Sequence, residues 1–129
     1  MGRFAGMRRG DVVLVSGKGD YGKSRPAVVV QADYLAEHLD SITVCLFTSD
    51  LVDNPSIRVH VGPNEENGLK LPSQLMVDKM QTYPRKKVFG RIGALDEDRI
   101  RELDRALVFF LQLNQVLLPS AGSQATGRK

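Results

Sequence analysis

The sequence of 129 residues has no tryptophan, one cysteine and two histidines. A lone thiol, Cys45, closes no internal disulfide and supplies no cysteine-rich zinc site. The imidazoles of His38 and His60 fall in unrelated segments, so a metal site is not expected, and no residue pattern leads to the expectation of a cofactor. No apolar run approaches the roughly 20 residues of a membrane helix; the longest candidate, Ala106–Leu111, is far shorter. Arg3, Arg8 and Arg9 near the N-terminus are not accompanied by an apolar h-region, so no secretory signal is expected. What is present is ordinary: 42% hydrophobic and 26% charged residues, a balance that opposes wholesale disorder. The expectation is one soluble, cytoplasmic domain with a core that needs no staples.

The charge is more informative in its distribution than in its net value of +3. Between Lys79 and Arg91 lie five basic residues (Lys79, Arg85, Lys86, Lys87, Arg91) and no acid. Lys18, Lys23 and Arg25 surround a glycine-rich loop, offset only by Asp20. Two such zones can line one groove for a phosphate backbone. The bland alternative for Lys86 and Lys87 is a solvated turn.

Along the chain, Asp11–Ser16 reads as a strand and 17–24, with three glycines, as a loop. Pro26 opens a second strand through Val30, where its missing N–H does least harm. Ala32–Leu39 suits a short helix or turn. Ser41–Thr48 is a third strand, and Ile57–Val61 alternates with Ile57, Val59 and Val61 on one face. Asn64–Gly68 ends in an Asn-Gly turn signal. Gln74–Tyr83 and Lys87–Ile92 read as a strand pair across Pro84-Arg85-Lys86. Asp96 is a natural helix N-cap, followed by Glu97 and Asp98 in the first turn. Ile100, Leu103, Leu107, Phe110 and Leu111 keep helical spacing, and Pro119 is the expected helix stop. The remaining apolar positions, Val108 and Phe109, meet either the core or a second subunit. Strands followed by one helix predict a mainly β fold with α, a small antiparallel β-barrel with a C-terminal helix. Residues 1–6 and 119–129 are expected to be tails, the latter disordered, flanking a domain over 7–118.

Six segments in order resemble the MazF/PemK toxins of bacterial toxin–antitoxin pairs. They are Arg9-Gly-Asp-Val-Val, the glycine-rich loop, Arg25-Pro-Ala-Val-Val-Val-Gln31, and Thr48-Ser49. Pro72-Ser-Gln-Leu-Met-Val-Asp78-Lys-Met-Gln-Thr82 and Gly90-Arg-Ile-Gly-Ala-Leu complete the set. The likeness covers about 7–118. It implies an SH3-like barrel and a metal-independent, homodimeric endoribonuclease neutralised by a cognate antitoxin. It also implies cleavage of single-stranded RNA by attack of a 2′-OH on the adjacent phosphate, leaving a cyclic phosphate and a 5′-OH. Met76 stands where the PemK branch has an arginine, and no histidine matches that branch's loop histidine.

Internal 2′-OH attack needs orientation of the nucleophile, removal of its proton and neutralisation of phosphorane charge. Arg25 suits the last task because its fork can grip two phosphate oxygens and stays charged; its bland alternative is a surface ion pair. The resemblance makes Arg25 and Thr48 catalytic. Otherwise Thr48 is a strand-end hydroxyl bonded to its own backbone. Asp78 is the third catalytic candidate, as base beside Arg25, or else an ion-pair partner of Lys79 or another neighbour. Candidate RNA contacts are Lys18, Tyr21, Lys23, Ser49, Lys79 and Gln81, with Tyr21 stacking on a base. Cys45 and His60 read as a core residue and a surface residue. Two other readings remain open: a non-catalytic RNA-binding module, and a CcdB-like gyrase poison. The latter branch carries a tryptophan-containing helix terminus that Leu117-Leu-Pro-Ser does not match.

Overall fold

The computed structural model describes residues 7–16 and 23–117. The strands are β1 (Asp11–Val15), β2 (Arg25–Val29), β3 (Ser41–Thr48), β4 (Arg58–Val61), β5 (Ser73–Pro84) and β6 (Val88–Ala94). A short helix α1 (Asp33–His38) joins β2 to β3. Helix α2 (Glu97–Leu111) and one further turn, α3 (Asn114–Leu117), follow β6. The strands form one antiparallel sheet in the order β4-β5-β3-β2-β1-β6.

Both faces of the sheet carry apolar side chains, which explains why the strands read as almost continuously hydrophobic. Val28, Val30, Cys45, Phe47, Leu75 and Val77 share one core with Leu103 and Ala106 of α2. The alternate positions, Ala27, Val29, Val44 and Leu46, share a second core with Ala36 of α1 and with Tyr83. Arg85 fastens α1 to this second face: its guanidinium donates to the carbonyls of Ala36 and Leu39. That arginine of the basic run therefore serves as a helix cap.

Three expectations need correction. The sheet is mainly β with α, as expected, but it is not closed into a barrel by strand pairing: β4 and β6 remain its two edges. The turn after β4 leans on β6 instead, with the Ala94 N–H donating to the Glu66 carbonyl at 2.8 Å. A curled Asn64–Gly68 turn cannot present the extended backbone a ladder needs. The approach is nevertheless so close that a Cβ on Gly93 would lie 2.3 Å from the Glu66 carbonyl oxygen. One on Gly68, where φ is +72°, would lie 2.4 Å from that of Ile92. Second, β5 and β6 do not pair with each other. The 3₁₀ turn Arg85–Lys87 carries the chain across to β1, β6's partner, while β5 runs between β3 and β4.

Third, α2 ends at Leu111 and not at Pro119. Gln112 adopts the left-handed conformation (φ 58°, ψ 49°), its N–H bonds the Phe109 carbonyl, and the Leu113 N–H bonds that of Val108. This is a Schellman turn with glutamine where glycine is usual. Asp96 caps the other end, its carboxylate accepting from the Arg99 N–H at 2.7 Å. Leu103 and Ala106 are buried, but Phe110 and Leu111 are exposed beside Phe109. Residues 1–6 and 119–129, read as tails, lie outside the described residues.

Candidate active site

β2 and β3 place two candidate side chains together. The β2–β3 pairing runs from Val29–Val44 to Ala27–Leu46; Arg25 and Thr48 lie just beyond its end, two residues further along each strand, and both border the same pocket. Both alternate with residues of the second core, so both belong to the same side of the sheet. They line one open groove of about 520 Å³, with Ser49 from the end of β3, Lys70 and Leu71 from the loop before β5, and Ile92 from β6. Among the described residues, two cations, Arg25 and Lys70, and no carboxylate line this groove. Neither Arg25 nor Lys70 makes an ion pair among the described residues. The alternative expected of Arg25, a surface ion pair, is not seen there.

Thr48 does bond its own backbone: its Oγ1 accepts from the Asp50 N–H at 3.1 Å. That bond uses a lone pair and leaves the hydroxyl proton available to a further acceptor. The turn that makes this possible is held by Gln74, directly across from Thr48 on β5. The Gln74 carboxamide accepts from the Val52 N–H at 3.1 Å and donates to the Val52 carbonyl at 2.8 Å. Gln74 is buried, and this double bond accounts for an amide inside an apolar strand. Sequence reasoning passed over both Gln74 and Lys70. The first had a signal, a polar residue amid Leu75–Val77; the second had none, being one lysine in a turn.

The other candidates lie apart. Asp78 is bonded to Arg58, Oδ1 to Nε at 3.1 Å, with side chains 22% and 12% exposed. Its partner is thus another neighbour than Lys79, as the ion-pair alternative allowed, and Asp78 is not among the groove's lining residues. Lys79 and Gln81 are exposed further along β5, where Gln81 accepts from the Tyr83 hydroxyl. Lys23 is exposed two residues before Arg25. Lys18 and Tyr21 lie outside the described residues. Cys45 is buried, and burial pushes its thiol pKa up to about 12, which removes it as a nucleophile near neutral pH. His60 is exposed. It borders a second hollow, of about 540 Å³ between β4 and α2, whose rim mixes Asp53 and Glu102 with Arg58 and Arg105. A polyanion is better served by the groove without carboxylates.

Residues 8–111 match the family described as PemK-like, MazF-like toxin of type II toxin-antitoxin system. A protein of Mycolicibacterium smegmatis named probable endoribonuclease MazF is 40% identical over 106 residues, covering 81% of this chain and 96% of its own length. Among solved structures, the Mycobacterium tuberculosis toxin MazF-mt6 superposes with a TM-score of 0.68 at 24% identity, covering 79% of this chain and 96% of its own. An endoribonuclease of a mycobacterial species, solved in complex with its cognate antitoxin, gives 0.69 at 19% identity, with 82% and 95% covered. At such identities the two structures speak for the fold.

Proposed function

The chain belongs to the PemK-like, MazF-like toxins of type II toxin–antitoxin systems, and on that premise we propose that it is an endoribonuclease whose reaction centre is the Arg25–Thr48 groove. Its substrate is single-stranded RNA, and its activity is restrained by a cognate antitoxin. One observation carries the reading: among the described residues, a guanidinium with no ion-pair partner and a hydroxyl whose proton has no acceptor border one open groove with no carboxylate in its lining.

In the proposed reaction a ribose 2′-oxygen forms a bond to the adjacent phosphorus and the bond to the 5′-oxygen breaks. The 2′-OH loses its proton and the departing 5′-oxygen gains one. The products are a cyclic phosphate and a 5′-OH end, with no metal in the scheme. Arg25 holds the non-bridging oxygens through both arms of its fork, and its grip tightens as charge builds on them. A guanidinium is too weak an acid to be a good proton donor, so its role is electrostatic. Thr48, oriented by the Asp50 N–H, donates its remaining proton to the same phosphate. Lys23 and Ser49 contact the flanking strand. Lys18 and Tyr21 keep the RNA-contact roles expected of them. Asp78 has no step here, since Arg58 holds its carboxylate; Lys79 and Gln81 act on RNA only where the strand extends along β5.

The test is incubation of the purified protein with a long single-stranded RNA in excess EDTA. Defined cuts with 5′-OH ends are expected, and Arg25→Ala should slow them by about 10²-fold or more, the usual loss for a charge-stabilising donor. Binding without cutting by folded protein would replace this reading with that of a non-catalytic RNA-binding module.

A further inference from the structure

We infer that Lys70 is a substrate-positioning residue, presented by a rigid turn as the second phosphate-binding cation of the groove. The inference deepens the nuclease reading above and rests on it for the identity of the ligand.

Lysine is normally a poor positioning group, because its long side chain loses rotamer freedom when it binds. The backbone that carries Lys70 is unusually well fixed. Asn67 is buried, 2% exposed. Its Oδ1 accepts from the N–H groups of Asn64 (3.1 Å) and Leu69 (2.9 Å), and its Nδ2 donates to the Gly62 carbonyl at 2.8 Å. On the far side of Lys70, the Ser73 hydroxyl donates to the Leu71 carbonyl at 2.9 Å. Both neighbours of Lys70 are therefore tied. The whole turn is seated on β6 through the Ala94–Glu66 bond, and the contacts at Gly68 and Gly93 leave no room for a side chain.

The result is a groove with walls from separate parts of the chain. Arg25 comes from β2 and Lys70 from the turn, and no carboxylate lies among the lining residues to neutralise either. Lys70 is exposed and makes no hydrogen bond or ion pair among the described residues, so its charge is available to a ligand in the groove. Leu71 and Ile92, 59% and 37% exposed, give the same wall an apolar surface. A cation beside apolar area matches a nucleotide strand, which alternates charged phosphate with flat base. With Arg25 occupied by the scissile phosphate, Lys70 takes a neighbouring one. It fixes the strand without touching the reacting atoms.

The experiment measures binding and cutting separately on the full chain. Binding of an all-2′-O-methyl RNA oligonucleotide, which offers no nucleophile, is followed by fluorescence anisotropy over a range of salt concentrations. Lys70→Ala should weaken binding about ten-fold at low salt, the loss expected for one charge-assisted contact. It should also reduce the slope of log K against log salt by about 0.7, the share of one single-strand phosphate. Lys70→Arg should restore most of both. With cleavable RNA the Lys70→Ala loss should appear mainly in KM. Unchanged affinity and salt slope in folded Lys70→Ala overturn the inference while leaving the nuclease reading intact. Lys70-dependent binding by a wild-type protein that cuts no RNA has the opposite meaning: the phosphate contact stands, and the nuclease reading falls together with any positioning for cleavage.

Discussion

Three side chains decide how the site is read. Arg25 and Thr48 acquire their significance from being uncommitted among the described residues, the guanidinium by having no ion pair and the hydroxyl through its proton. Asp78 loses its place in the reaction because it is committed. Asp78→Asn removes the charge facing Arg58 while keeping the shape, leaving a half-buried cation short of its partner. Chemical denaturation should show a loss of about 1–3 kcal/mol, with the RNA cutting rate retained; a cutting rate reduced a hundred-fold would restore Asp78 as the base. Cys45 gives a second check. With its thiol held up at about 12 by burial, the thiolate is scarce in the folded protein at any pH below that value. A thiol reagent at pH 8 should leave the native protein unlabelled and react fully in denaturant.

At the scale of elements, the sequence disclosed each strand but not every neighbour. The runs at Ser41–Thr48 and Gln74–Tyr83 were legible from β-branched residues and alternation, and the Asp96 cap from its acidic first turn. Pairing was not legible, because the choice between β5 and β1 as partner of β6 depends on the turn at Arg85–Lys87 and on contacts distant in sequence. Candidate residues followed the same division. Arg25 and Thr48 fell at strand ends whose register brings them together, whereas Lys70 depends on a turn folded around Asn67. The end of α2 was missed because glutamine is not a stop signal. Since Gln112 occupies a conformation that costs residues other than glycine about 1 kcal/mol, Gln112→Gly should stabilise the protein by about 0.5–1 kcal/mol. A lowered melting temperature would mean that the Gln112 side chain contributes more than its backbone strain costs.

For the molecule as a whole, the two faces of the sheet divide the work. One face packs α2 and the other packs α1, and the groove opens at the ends of β2 and β3, where Arg25 and Thr48 meet Phe47 and Leu69 of the α2-side core. Beyond its packed half, α2 leaves Phe109, Phe110 and Leu111 exposed, near Leu113 and Val116. An apolar patch of this kind marks an interaction surface, and the homodimer expected from the family resemblance is the proposed occupant. Sedimentation at micromolar concentration should give twice the chain mass, and Phe109→Lys should halve it. A wild-type protein that sediments only as monomer rules the dimer out.

The central claim is that Arg25 and Thr48 act on one phosphate in one groove, and a double-mutant cycle on the single-turnover cutting rate tests it most directly. Arg25→Ala and Thr48→Ala should each slow cutting, by about 10²-fold or more for the first, and the double variant should be faster than the product of the two losses requires, because groups that act as a unit are not additive. Cutting at the wild-type rate by either single variant, or losses that multiply as independent sites do, would contradict it.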